Sequence, residues 1–162
     1  MSMDSFIALV TLGFAGAWTP GPNNALVASS GATFGYIRTI PHILGIALGF
    51  PVMMFIVGVF LGEVFQQSAV LRQTLRWGGA LILLWMAWRM ANSGAIDSKA
   101  AKLRPFTFLE SAAFQWINPK AWAMGIAITS QFILPTAPVL SALIIAGVFV
   151  LAGLTSASGW AL

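Results

Sequence analysis

Apolar residues run through this chain in long stretches that polar residues interrupt at only a few places. A helix needs about 20 apolar residues to cross roughly 30 Å of hydrocarbon. Five stretches approach that length: 5–31, 41–61, 70–91, 108–134 and 139–162. The pattern predicts five membrane-spanning helices. The first is interrupted at 19–24, and the second carries Pro51 inside it. The third has a short charge-free centre, 77–88, so Arg72, Arg76 and Arg89 are expected to snorkel towards the interfaces. The fourth holds Lys120 near its middle, and the fifth carries no charge. The opening stretch, 1–18, has Asp4 as its only early charge, whereas a secretory signal starts with positive charge. It reads as a first membrane segment that stays in the protein.

Composition agrees. Apolar residues make up 59% of the chain and charged residues 7%, against about 25% charged in a soluble domain. So few charges cannot cover a water-facing surface, and disorder needs low hydrophobicity. The lipid bilayer is the expected surrounding. The net charge of +4 is too small and too scattered to build a phosphate-binding face, so no nucleic-acid partner is expected. The chain has no cysteine and a single histidine, His42. That leaves no metal site and no sign of a cofactor. Nor is there a Ser/His/Asp set, a nucleophile elbow or a phosphate loop, so an enzyme is not expected.

Lys99, Lys102 and Arg104 lie in the 92–105 connection with Arg89 at its edge, and Arg38 lies between the first two spans. The opposite connections, 63–68 and 133–138, contain no Lys or Arg. The positive-inside rule therefore places the first-to-second and third-to-fourth connections in the cytoplasm and the N-terminus outside. Arg72 and Arg76 count against this orientation.

Two places within the apolar spans carry candidate chemistry. The first is Thr19-Pro20-Gly21-Pro22-Asn23-Asn24. Two prolines bracketing a glycine remove backbone donors, and the helix cannot continue through them. In lipid the freed groups need partners from protein or water, so such a break belongs inside a bundle or beside a wet cavity. The second is Gln115-Trp116-Ile117-Asn118-Pro119-Lys120. Asn118 followed by Pro119 spells a helix start, N-cap then first position, in mid-span. Half-helix amides and the Lys120 ammonium suit a carboxylate near the midplane. The bland alternatives are a proline kink that aids packing, and a Lys120 that snorkels to an interface.

The breaks lie about 98 residues apart, each in the first span of a three-span set. Three being odd, two such sets have opposite orientation, the inverted-repeat plan of many secondary transporters. The fold expected is thus an all-α polytopic membrane helix bundle. It has five spans, broken helices in spans one and four, and inverted three-helix repeats. It forms a single transporter domain over 1–162, with repeat one at about 1–92, the connection at 92–105, and an incomplete repeat two at about 106–162.

Pro20, Gly21, Pro22 and Asn23, together with Asn118, Pro119 and Lys120, give the chain its resemblance to the LysE/RhtB-type amino-acid exporter family. The resemblance covers essentially the whole chain. It implies export of amino acids or close derivatives across the bacterial inner membrane, coupled to proton antiport, and it leaves a homodimer open. It also implies six helices, so the chain is expected to lack the last transmembrane helix of that pattern. The binding residues it suggests, joined to the reading of the breaks, are Pro20, Gly21, Pro22, Asn23, Asn24, Gln115, Asn118, Pro119 and Lys120. Half-helix amides and Lys120 would hold the substrate carboxylate, and the Asn and Gln side chains its amino group or side chain. Trp18, Trp116 and Trp122 are candidates to wall the cavity, though tryptophans are more often interface anchors or packing groups. Glu63, Glu110, His42 and Lys120 are the candidate proton-coupling groups. Glu63 and Glu110 read more simply as exposed carboxylates, and His42 as an interface residue. Gly45-xxx-Gly49, Gly58-xxx-Gly62 and Gly78-Gly79 permit close helix approach, within the chain before between chains. Two other functions fit parts of the pattern: an aquaporin-like channel, and a non-transporting membrane subunit completed by another chain.

Overall fold

The structure, a computed structural model, describes residues 1–68 and 104–162, and between them 70, 73, 74, 77, 78, 81, 84 and 88; for 61–67 it describes the backbone alone. The described elements are all helices: α1 (Met3–Trp18), α2 (Pro22–Phe34), α3 (Tyr36–Gln67), α4 (Phe108–Phe114), α5 (Pro119–Phe132) and α6 (Pro138–Ala161). Both interruptions foreseen within apolar spans are present. One divides α1 from α2, and the other divides α4 from α5.

Helix starts follow local chemistry. Ser2 Oγ accepts from Ser5 N at 3.2 Å at the head of α1, where Asp4 also complements the helix dipole. Thr107 and Glu110 close a capping box on α4: Thr107 Oγ1 accepts from Glu110 N at 3.2 Å, and Glu110 Oε2 accepts from Thr107 N at 2.9 Å. Helices α2, α5 and α6 each begin with a proline, which has no N–H to leave unpaired there.

The second span, expected over 41–61, is longer at both ends. Gly35 takes φ 81°, a left-handed value that a glycine adopts without strain, and this lets the chain turn from α2 directly into α3 at Tyr36. Helix α3 then passes through Pro41 and Pro51 unbroken. A single proline per turn is tolerated where neighbouring groups satisfy the freed carbonyl. Among the described residues, two helical segments are individually long and apolar enough to cross a membrane: Tyr36–Phe60, with mean hydropathy 2.5, and Pro138–Ala161, with 2.3. The third expected span, with Arg72, Arg76, Arg89 and Gly79, falls largely outside the described residues. So do Lys99, Lys102 and most of the 92–105 connection.

Helices α3 and α6 make the most extensive pair; α2, α4 and α5 also pack on α3, and α1 and α2 on α6. Between lipid-exposed helices the association comes from close packing, which small residues allow. A Cβ on Gly45 would stand 2.5 Å from Phe108 O, and one on Gly49 would stand 2.6 Å from Ala112 Cα. The Gly45-xxx-Gly49 face is therefore occupied by α4 of the same chain. Where α1, α3, α5 and α6 converge, Leu9, Met54, Met124, Ile128, Ile145 and Phe149 form the principal core. Phe50 meets Phe149 edge-on at 5.3 Å. On the outside, Ile7, Val52, Phe60, Leu109 and Leu151 are each more than half exposed. Lipid tails accept such a coat, whereas water would drive it to aggregate.

Candidate functional site

The two chain breaks lie against each other. Helix α1 stops because Pro20 and Pro22 cannot donate to carbonyls one turn back, and its last carbonyls then find other donors. Thr19 Oγ1 donates to Gly16 O at 2.7 Å. Asn24 Nδ2 donates to Ala17 O at 2.8 Å and to Thr19 O at 2.9 Å. Ser156 Oγ, from α6, donates to Ala17 O at 2.7 Å. Lys120 Nζ completes the set, donating to Thr19 O at 2.5 Å, with Pro20 O 3.5 Å away. A buried ammonium thus caps the negative end of a broken helix contributed from about a hundred residues earlier in the chain.

The second break presents that lysine. Residues 115–117 form a turn after α4, and Asn118 Oδ1 accepts from Lys120 N at 3.0 Å, with Pro119 at the first helical position. Helix α2, by contrast, starts at Gly21 with no side chain capping its first amides. The start of α2 is joined to the end of α4 by a reciprocal amide pair: Asn23 Nδ2 donates to Gln115 Oε1 at 2.8 Å, and Gln115 Nε2 donates to Asn23 Oδ1 at 3.2 Å. Gln115, fully buried, also donates to Ser111 O at 2.9 Å.

Removing Asn23 strands the buried Gln115 amide, at about 1–3 kcal/mol, and removing Gln115 leaves the half-buried Asn23 amide without that partner. Asn23→Leu and Gln115→Leu are each expected to lower thermal stability in detergent. The double variant should lose less than the two single losses together, because neither stranded amide then persists. Additive losses in a thermal double-mutant cycle would contradict the pairing.

All nine expected residues, Pro20 to Asn24 and Gln115 with Asn118 to Lys120, fall at this junction. Asn24 and Lys120 also line a cavity of about 50 Å³, together with Gly16 and Ala17 of α1, Ile46 and Phe50 of α3, Ala121 and Met124 of α5, and Phe149, Gly153, Ser156 and Ala157 of α6. The α6 wall had no place in the sequence reading. Its signal is the run of small residues at Ala152, Gly153, Ser156 and Ala157, one turn apart on a single helical face. The three tryptophans do not line this cavity. Trp18 and Trp116 are substantially exposed, and Trp122 Nε1 donates to Trp116 O at 2.8 Å. A Cβ on Gly159 would overlap the Trp18 ring, so that indole is a packing group over α6.

Of the titratable candidates whose side chains are described, Lys120 alone belongs to the junction. His42, expected at an interface, is instead buried, its ring centroid 5.0 Å from that of Phe106. The reason is that α4 and its approach pack across this part of α3. Glu110 is paired with Arg104 through two bonds, at 2.9 and 3.0 Å. That hydrogen-bonded carboxylate raises the Arg104 guanidinium further above its usual value, so its charge is constant over the physiological range. The Glu63 side chain lies outside the described residues. Among the described residues no group of three or more His, Cys, Asp or Glu gathers to hold a metal ion.

The sequence model of the LysE type translocator family matches residues 14–162. The cysteine/O-acetylserine efflux protein of Salmonella typhi is 36% identical over 150 residues, an alignment covering 90% of this chain and 75% of that protein. The protein of the same name from Escherichia coli O157:H7 is 35% identical over 151 residues, with the same coverage. No solved structure matches the chain at a significant level.

Proposed function

The chain belongs to the LysE type translocator family, and from that premise we propose that it exports amino acids or close derivatives from the cytoplasm as a secondary carrier, by proton antiport. It is a membrane transporter and not an enzyme. The names of its relatives point to substrates such as cysteine and O-acetylserine, small α-amino acids whose side chains carry no fixed charge.

The observation that carries the reading is a buried cation at the junction of two interrupted helices, beside a cavity. An ammonium inside a membrane costs a few kcal/mol on insertion scales, and such residues commonly mark a substrate path. A substrate carboxylate would take Lys120 together with the first amides of α2 and α5. Asn23, Asn24, Asn118 and Gln115 can each exchange a bond within the chain for one to the substrate. Pro20, Gly21, Pro22 and Pro119 hold the two breaks in place.

In the same reading 1–162 is one transporter domain of two oppositely oriented repeats, about 1–92 and about 106–162, with five spans. It sits in the bacterial inner membrane with its N-terminus outside and 92–105 in the cytoplasm. The shared grammar of the halves supports the repeats: α2 and α5 have 13 and 14 residues, and each begins with proline after a break.

The test is counterflow of radiolabelled O-acetyl-L-serine and L-alanine in proteoliposomes holding the full chain. Saturable exchange, with uptake driven by an inside-acid gradient, is the expected result. Flux that rises linearly with concentration and shows no counterflow would make the protein a channel instead.

A further inference from the structure

The terminus of α1 is an acceptor seat for an ammonium group, and its acceptors are backbone carbonyls. The last turn of a helix carries about half a negative charge at its carbonyl end. Lys120 Nζ occupies the seat, 2.5 Å from Thr19 O and 3.5 Å from Pro20 O. An ammonium has three donors, and here one short contact and one long contact engage it. Its stem crosses the bare Cα of Gly21: a Cβ there would lie 2.5 Å from Lys120 Cδ and 3.0 Å from Nζ. The neighbouring cavity, about 50 Å³, is lined on its polar part by Asn24, Ser156 and Lys120, and elsewhere by Ile46, Phe50, Met124 and Phe149. That is room on the order of a few water molecules, enough for a small uncharged side chain.

Resting on the exporter reading, we infer that the carbonyls of Thr19 and Pro20 form the binding position of the substrate's α-ammonium group, and that Lys120 fills it as a tethered stand-in which a zwitterionic amino acid displaces. The substrate carboxylate draws the Lys120 ammonium off α1, and the substrate ammonium replaces it on the same carbonyls. One cation faces the α1 terminus before and after, so the helix end keeps a positive partner throughout. The carboxylate that arrives finds the cation it needs. A ligand with only one of the two charges breaks this exchange. A bare carboxylate pulls Lys120 away and leaves the carbonyls without a cation, with only the neutral Asn24 amide still donating to Thr19 O. A bare ammonium must expel Lys120 into a site that offers it no anion. Recognition of both charges then comes from a single side chain that changes partners.

The test uses the full chain in detergent and calorimetric titration with O-acetyl-L-serine and its methyl ester, which keeps the ammonium and lacks the anionic carboxylate. Wild type is expected to bind the amino acid at least about tenfold tighter than the ester. In Lys120→Met the seat has no competitor, and ester affinity should rise about tenfold over wild type while the amino acid loses its advantage. Gly21→Ala crowds the lysine stem without removing the charge. It should also raise ester affinity, and it decides the question if Lys120→Met does not elute as folded protein. Ester affinity unchanged in both variants, with wild-type counterflow of O-acetyl-L-serine or L-alanine intact, would overturn the exchange and leave the exporter reading standing. Absence of saturable counterflow of either amino acid by wild type would remove the exporter reading, and this inference with it.

Discussion

Lys120→Ala is expected to reduce export at least roughly 30-fold while the protein still reaches the membrane. A hydrogen-bonded charge pair in a desolvated site is worth about 2–5 kcal/mol when one partner is truncated, and each 1.4 kcal/mol is a factor of about ten. The variant loses the one buried cation described at the junction of the breaks. The fold should survive, because Asn24 still donates to Thr19 O and Ala17 O, and Asn118 still caps α5. Insertion also becomes easier without a charge in the span. Vesicle counterflow measures the loss, and the amount of folded protein extracted from membranes measures the survival. Undiminished counterflow would remove Lys120 from the transport path and leave it a helix cap only.

The second large effect is expected from Pro20→Ala combined with Pro22→Ala. Each proline costs a helix interior about 3 kcal/mol, and both lack the N–H that would bond four residues back. With alanines, residues 20 and 22 can donate to the carbonyls of Gly16 and Trp18, and α1 can run into α2. A continuous helix would carry Thr19 O away from Lys120 and Asn24 away from the carbonyls it now holds. Export should fall more than tenfold. Amide exchange at 19–24 should slow by at least about tenfold as new helical bonds form. Normal export with slowed exchange would reduce the Pro-Gly-Pro motif to a kink that serves packing.

The breaks were legible because they rest on chemistry a side chain carries wherever it sits. Proline cannot donate, and asparagine before proline starts a helix; those rules held at Pro20, Pro22, Asn118 and Pro119. The Thr107–Glu110 capping box could have been read the same way, since the spacing alone spells it. Partnerships across the chain were not legible. Nothing local tells that Lys120 reaches Thr19 O, that Asn23 pairs with Gln115, or that Ser156 supplies a donor to Ala17 O. Those contacts depend on how α1, α4, α5 and α6 stack, and stacking in lipid is decided by small residues whose fit a sequence does not display. His42 shows the same limit. Its place near a span end suggested an interface, and only the packing of α4 and its approach against α3 buries it. For the tryptophans the commoner reading, anchoring or packing rather than cavity wall, agrees with the structure: Trp18 covers Gly159 and Trp122 bonds back to Trp116.

The Lys120 ammonium is seated at the end of a broken helix, and one distance reports on it. Protein labelled with 15N at lysine side chains and 13C at threonine carbonyls can be studied in bilayers by rotational-echo dipolar recoupling. The Lys120 signal is assigned by its loss in Lys120→Arg. An N···O separation of 2.5 Å to Thr19 and a C=O bond of about 1.23 Å predict strong dephasing from a carbon within about 4 Å. A Lys120 signal that shows no dephasing by threonine carbonyls would place the ammonium elsewhere and contradict the account.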